Sequence, residues 1–280
     1  MTDLLHSPPT VGTQALQALG RYPSRTAFSW SGGSISYRGA IERIARMQRV
    51  LMSVGASLAA RVALLSANRA DAWCVGVAAH ISRLATTWLH PLASLDDQID
   101  QIEDCEAEIL VIDADAFLLR GGELAARAAG VRHVFTLGGA EYGLDLLSAV
   151  ETVGSAAARD LAGPDDVAAL SYTGGTTGKS KGALRRHREL SGFAGAVLAN
   201  FEIPTNPQFL AVAPISHCRR HQSAADFGAR RHGAPHQGLR SRSRPRRDRS
   251  GANKLYPSRA NDDLRTPGPS HAEQDRPVFA

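Results

Sequence analysis

The sequence lacks most of the features that would carry a protein out of a reducing interior. Its three cysteines, Cys74, Cys105 and Cys218, are odd in number and widely spaced, with no Cys-x-x-Cys pair. That argues against both a disulfide framework and a structural zinc site. Residues 1–10 carry Asp3 and two prolines but no basic leader followed by an apolar core, so a secretory signal is not expected. No apolar run approaches the roughly 18 residues that span a bilayer. The expectation is a cytoplasmic chain with no membrane span and no resident metal ligands.

Apolar residues are scarce in one segment only. Residues 218–280 contain 13 Arg, and among Leu, Ile, Val and Met only Leu239, Leu255, Leu264 and Val278. There, 14 Lys and Arg face 6 Asp and Glu, whereas 18 face 21 in residues 1–217. The tail cannot bury enough apolar surface to offset its ordering entropy. The organisation read from composition is therefore an α/β body, 1–217, and an Arg-rich, irregular tail, 218–280.

The body alternates two periodicities. Phe28, Trp30, Ile35 and Tyr37 alternate with small polar residues around Gly32-Gly33, which predicts two strands in a hairpin. Ile41, Ile44, Met47, Leu51 and Val54 then share one helical face, and Gly55 stands where a left-handed stop belongs. Strands are predicted at Val62–Leu65, Ala85–Leu89, Ile109–Ile112, His133–Leu137 and Val167–Tyr172. Helices are predicted at Ala70–Ile81, Leu95–Cys105, Ala114–Ala129 and Leu184–Asn200. Such alternation implies a mostly parallel sheet with flanking helices. Gly154–Asp166, small and polar around Gly163-Pro164, reads as a surface connection.

The chemistry concentrates in Thr173-Gly174-Gly175-Thr176-Thr177-Gly178-Lys179-Ser180-Lys181-Gly182. Glycines let a backbone approach a polyphosphate closely, threonine hydroxyls add donors and lysine supplies point charge. A strand, this turn and a following helix would present N–H groups to an anion. The Walker A pattern fits except at its first position, where Thr173 replaces glycine. The loop as a whole resembles the Ser/Thr/Gly-rich signature of the adenylate-forming superfamily, which includes acyl-CoA synthetases, luciferases and peptide-synthetase adenylation domains. Ser180 departs from that signature, which commonly has proline there. Further landmarks resemble the same family in order: Arg21–Phe28, the helix entry at Ser36-Tyr37, Arg61–Asn68, Val111-Ile112-Asp113 and His187–Leu190.

The resemblance implies that a carboxylic acid attacks the α-phosphate of Mg-ATP, pyrophosphate leaves, and CoA captures the acyl-adenylate. Thr173, Thr176, Thr177 and Lys181 would hold the β- and γ-phosphates, with Gly174, Gly175 and Gly178 shaping the cradle. Lys179 reads as a solvated charge. His217, closing Pro214-Ile215-Ser216-His217, resembles the Pro-x-x-His step that lines the acyl and CoA channel. His90, before Pro91, reads as a turn cap; His187 as packed or solvated; Trp73, Cys74 and Trp88 as core.

Past His217 the family's pattern stops. The adenine-binding Tyr-Gly-x-Thr-Glu motif, the ribose-binding aspartate and the lid lysine do not occur in residues 218–280. Three readings of that tail stay open: a disordered basic arm for nucleic acid, a divergent extension, or a shifted reading frame. The genetic code favours the third, because Cys218-Arg219-Arg220-His221 read one base later permits Val-Ala-Gly-Thr. An inactive fragment of an acyl-CoA synthetase is thus the leading expectation. A P-loop NTPase and a basic-tailed nucleic-acid binder are the alternatives, and the sequence is silent on oligomeric state.

Overall fold

A computed structural model describes residues 7–57, 59–154, 156–173, 181–204, 206–211 and 278–279. In chain order these form α1 (Val11–Gly20), β1 (Thr26–Trp30), β2 (Gly33–Ser36), α2 (Tyr37–Ser53), β3 (Arg61–Leu65), α3 (Ala70–Ile81), β4 (Ala85–Trp88) and α4 (Leu95–Asp104). There follow β5 (Ala107–Asp113), α5 (Ala114–Arg127), β6 (His133–Leu137), β7 (Leu144–Asp145), α6 (Leu146–Thr152), β8 (Val167–Thr173), β9 (Lys181–Arg186), α7 (His187–Asn200), β10 (Phe209–Leu210) and β11 (Val278–Phe279).

Among the described residues, seven strands make the main sheet in the order β7-β6-β5-β3-β4-β8-β9. Every neighbouring pair is parallel except β8 with β9. Two-residue periodicity gives this sheet two buried faces. Val62, Leu64, Ile109 and Val111 turn to one side, where Leu19 of α1, Ile44 of α2, Val75 of α3 and Val150 of α6 meet them in one core. Ala63, Leu65, Leu110 and Ile112 turn to the other and pack with Ile102 of α4 and Leu124 of α5. The α/β class and the mostly parallel sheet with flanking helices are as the alternating periodicities predict. β1 and β2 lie in a separate antiparallel sheet of order β10-β11-β1-β2.

Local signals account for the helix ends. The Ser36 side chain accepts from the Gly39 amide at 3.1 Å and caps α2; Ser94 does the same for α4 through Asp97. Beyond α2, Gly55 takes φ +69°, the left-handed conformation that glycine adopts without steric cost. α5 occupies most of its predicted span but is broken at Phe117, whose φ of −133° is not helical. Six elements have no counterpart among the predictions: α1, β7, α6, β9, β10 and β11.

The connection across 156–166 is more than a surface link. The Gln48 amide donates to the carbonyls of Ile81 at 3.2 Å and Arg159 at 2.7 Å, and its oxygen accepts from the Arg159 amide at 3.1 Å. Asp160 accepts from the hydroxyls of Thr10 and Thr13. These bonds lace the segment to α1, α2 and α3. Trp73, Cys74 and Trp88 are buried as predicted, and His90 caps its turn, with Nδ1 accepting from the Leu92 amide at 3.1 Å. Among the described residues, no helix is long and apolar enough to cross a membrane.

Candidate functional site

The threonine- and glycine-rich loop connects two antiparallel strands. β8 and β9 pair with Cα partners Leu170↔Leu184, Ser171↔Ala183, Tyr172↔Gly182 and Thr173↔Lys181. This corrects the predicted order of strand, loop and helix. Leu184, Arg185 and Arg186 belong to β9, because their backbone groups are taken up by the ladder to β8. α7 starts only at His187, where the Glu189 carboxylate accepts from the Arg186 amide at 3.2 Å. A Walker A loop runs from a strand directly into a helix whose N-terminus faces the phosphates; the hairpin removes that arrangement and with it the P-loop reading.

The mouth of the hairpin lies on the edge where β3, β4, β5, β6 and β8 all end, the edge at which open α/β sheets bind their ligands. Thr173 and Lys181 are Cα partners across it. Lys181 is exposed, and among the described residues no carboxylate stands within ion-pair distance of it. A cation left without an internal counter-charge beside a glycine-rich connection suits a polyanion. Gly174, Gly175, Thr176, Thr177 and Gly178, like Lys179 and Ser180, lie outside the described residues, and so does His217.

The same edge carries a charge network that the sequence reading missed. Arg69, in the turn after β3, donates from Nη1 to Asp113 at 2.7 Å, to Asp115 at 2.8 Å and to the Leu137 carbonyl at 3.1 Å. The other carboxylate oxygen of Asp113 accepts from the Ser66 hydroxyl at 3.1 Å and the Ala67 amide at 3.2 Å. Burial works against the Arg69 charge, but Asp113, then Asp71 and Asp115, outweigh it and hold its pKa above the ordinary value. The network ties the ends of β3, β5 and β6 together. The turn also reaches toward the chain's later part, for Asn68 donates to the Ala211 carbonyl at 2.9 Å.

Residues 16–235 match the model of a family described as AMP-binding enzyme. The chain belongs to the AMP-binding enzyme family. FadD8 of Mycobacterium tuberculosis, a medium/long-chain-fatty-acid–CoA ligase, is 31% identical over 224 residues, covering 77% of this chain and 39% of its own length. The ATP-bound structure of MatB from Rhodopseudomonas palustris superposes with a TM-score of 0.65 at 25% identity, over 79% of this chain and 44% of MatB. The amide bond synthetase McbA from Marinactinospora thermotolerans gives 0.69 at 20% identity, over 79% and 43%, a likeness of fold. This AMP-binding chain thus spans about two fifths of the length of these relatives. The acyl- and aryl-CoA ligases of the family use ATP, magnesium and CoA with a carboxylic acid.

Proposed function

We propose that the β8–β9 hairpin is the phosphate arm of an acyl-CoA synthetase that activates a carboxylic acid, of the medium- or long-chain fatty class, through its adenylate. Thr173, Thr176, Thr177 and Lys181 hold the β- and γ-phosphates, and Gly174, Gly175 and Gly178 admit them to the backbone. The observation that carries the reading is the register of Thr173 with Lys181 across the hairpin mouth, with Lys181 exposed and no carboxylate paired with it among the described residues. Magnesium-bound ATP supplies the electrophilic phosphorus and the pyrophosphate leaving group. The chain's part is electrostatic: it orients the polyphosphate and offsets charge on the departing oxygens. His217 lines the path by which the acid and CoA enter.

This sequence does not by itself complete that reaction, since residues 218–280 supply none of the family's adenine, ribose or lid residues. A shifted frame just after His217 accounts for the change in composition, and sequencing the gene across that codon tests it. Pyrophosphate release from ATP, CoA and a panel of fatty and aromatic acids is expected to stay at background. Robust turnover would refute the incomplete-enzyme reading. Titration with inorganic pyrophosphate tests the arm separately: Lys181→Ala should weaken binding about tenfold or more, in keeping with loss of a hydrogen bond to a charged group, and Lys179→Ala should change it little. Equal effects of the two substitutions, or no binding by the parent chain, would remove the arm assignment.

A further inference from the structure

We propose that Tyr172 is a positioning residue for the phosphate arm, fixing the outer half of the β8–β9 hairpin to α4 through Asp104. The proposal rests on the assignment of Thr173 and Lys181 to phosphate, and adds a residue that assignment does not contain.

β8 is joined to the rest of the sheet by one ladder pair, Thr86↔Ala169. Beyond Ala169 the hairpin runs on with β9 as its only strand partner among the described residues, where β9 is the edge of the sheet. Something other than the ladder must therefore set the direction of the mouth. Leu170 and Tyr172, two residues apart on a strand, point to the same face, and both pack on the core that contains Ile102 and Cys105. At the far end of the Tyr172 ring the hydroxyl donates to the carboxylate of Asp104, the last residue of α4. α4 is itself held firmly, by buried Ile99 and Ile102 and by the Ser94 cap at its other end.

Tyr172 also touches the opposite arm. A Cβ on Gly182 would stand 3.1 Å from Cζ of the tyrosine ring, tighter than ordinary contact, so the ring lies against the β9 backbone and a side chain there would have to push it aside by a few tenths of an ångström. One side chain therefore contacts α4, sits next to Thr173 in β8, and covers the residue next to Lys181 in β9. Loss of its hydroxyl would leave both ligands in sequence but release the frame that aims them. Burial raises the phenol pKa and the bond to Asp104 raises it further, so the group remains a protonated donor throughout the physiological range.

Two measurements on the full chain test the proposal. Amide hydrogen exchange reads the positioning without ligand: Tyr172→Phe and Asp104→Ala should speed exchange across residues 170–173 and 181–184 about tenfold, as expected for one lost hydrogen bond to a carboxylate, with β3 and β5 unchanged. Asp104→Asn, whose amide oxygen still accepts from the tyrosine, should restore slow exchange. Titration with inorganic pyrophosphate reads the consequence: both disruptive variants should bind several-fold more weakly at a temperature where they remain folded, and Asp104→Asn should recover. Unaltered exchange in Tyr172→Phe overturns the proposal whatever pyrophosphate does. Faster exchange with unchanged pyrophosphate affinity reduces Tyr172 to a structural tie and overturns its positioning role. Faster exchange in a protein whose parent form binds no pyrophosphate removes the phosphate assignment, and the positioning role falls with it.

Discussion

The imidazole of His187 stands edge-on to that of His80, with ring centroids 5.7 Å apart and planes at 79°. His80 shares a hydrogen bond with the Thr86 hydroxyl at 3.1 Å. Neither nitrogen of the buried His187 meets a partner among the described residues. Desolvation lowers its pKa, and the carboxylates of Asp160 and Asp166 offset this only in part.

Acid should therefore destabilise the fold through His187. Its folded-state pKa lies below the ordinary value of 6.5, so the unfolded chain takes up the proton first as pH falls. The contribution to stability is complete above about pH 6.5 and is lost progressively as pH drops toward the folded value. His187→Phe should flatten this part of the profile. Thermal unfolding between about pH 5 and pH 8 checks it; a parent and variant with parallel profiles would contradict the prediction.

Removal of the Arg69 guanidinium should be among the costlier single changes. Asp113 has a side chain only 2% exposed, and Arg69→Met would leave its carboxylate buried against two weaker hydrogen bonds. A loss of about 3 kcal/mol is expected, the usual scale for stranding one member of a buried pair. Arg69→Met combined with Asp113→Asn should cost less than Arg69→Met alone. Urea unfolding of the three variants measures this, and simple additivity would argue against coupling.

Gly121→Ala should destabilise by roughly 1–3 kcal/mol through overpacking. A Cβ at this position of α5 would run into the Ile112 side chain beneath it and the Tyr142 hydroxyl beside it. Because Tyr142 donates to the Leu118 carbonyl at 2.7 Å, it is not free to swing away. Ile112→Val should recover part of the loss, and a melting-temperature series on the single and double variants decides whether it does.

The legible parts of the fold were those in which side-chain periodicity and burial agree. β3 and β5 are short apolar runs buried on both faces, α2 keeps its apolar stripe, and Gly55 ends it, so composition and spacing sufficed. Gln48 shows where that reading fails: it lies on the buried face of α2 between Met47 and Leu51, and its partners at Arg159 sit 111 residues away. No local pattern encodes such a partner. The Leu184–Arg186 stretch was misassigned to the helix because its backbone pairing with β8 across the glycine loop is not written in local propensity. At the candidate site, the threonines and Lys181 announce themselves by composition, whereas Tyr172 and Asp104 look like ordinary strand and helix-end residues until the fold brings them together.

The single ladder pair between β4 and β8 has a kinetic consequence. Thr86 and Ala169 are separated by 83 residues of chain, whereas β3 and β4 are neighbours in sequence and can associate through a much shorter loop. Closing the longer loop costs more entropy before any contact repays it. We expect the ligand-bearing hairpin to join a sheet already assembled, making it the last part of the main sheet to fold and the first to detach. Pulse-labelled refolding should show β8 and β9 amides protected after those of β3 and β5; simultaneous protection would count against that order.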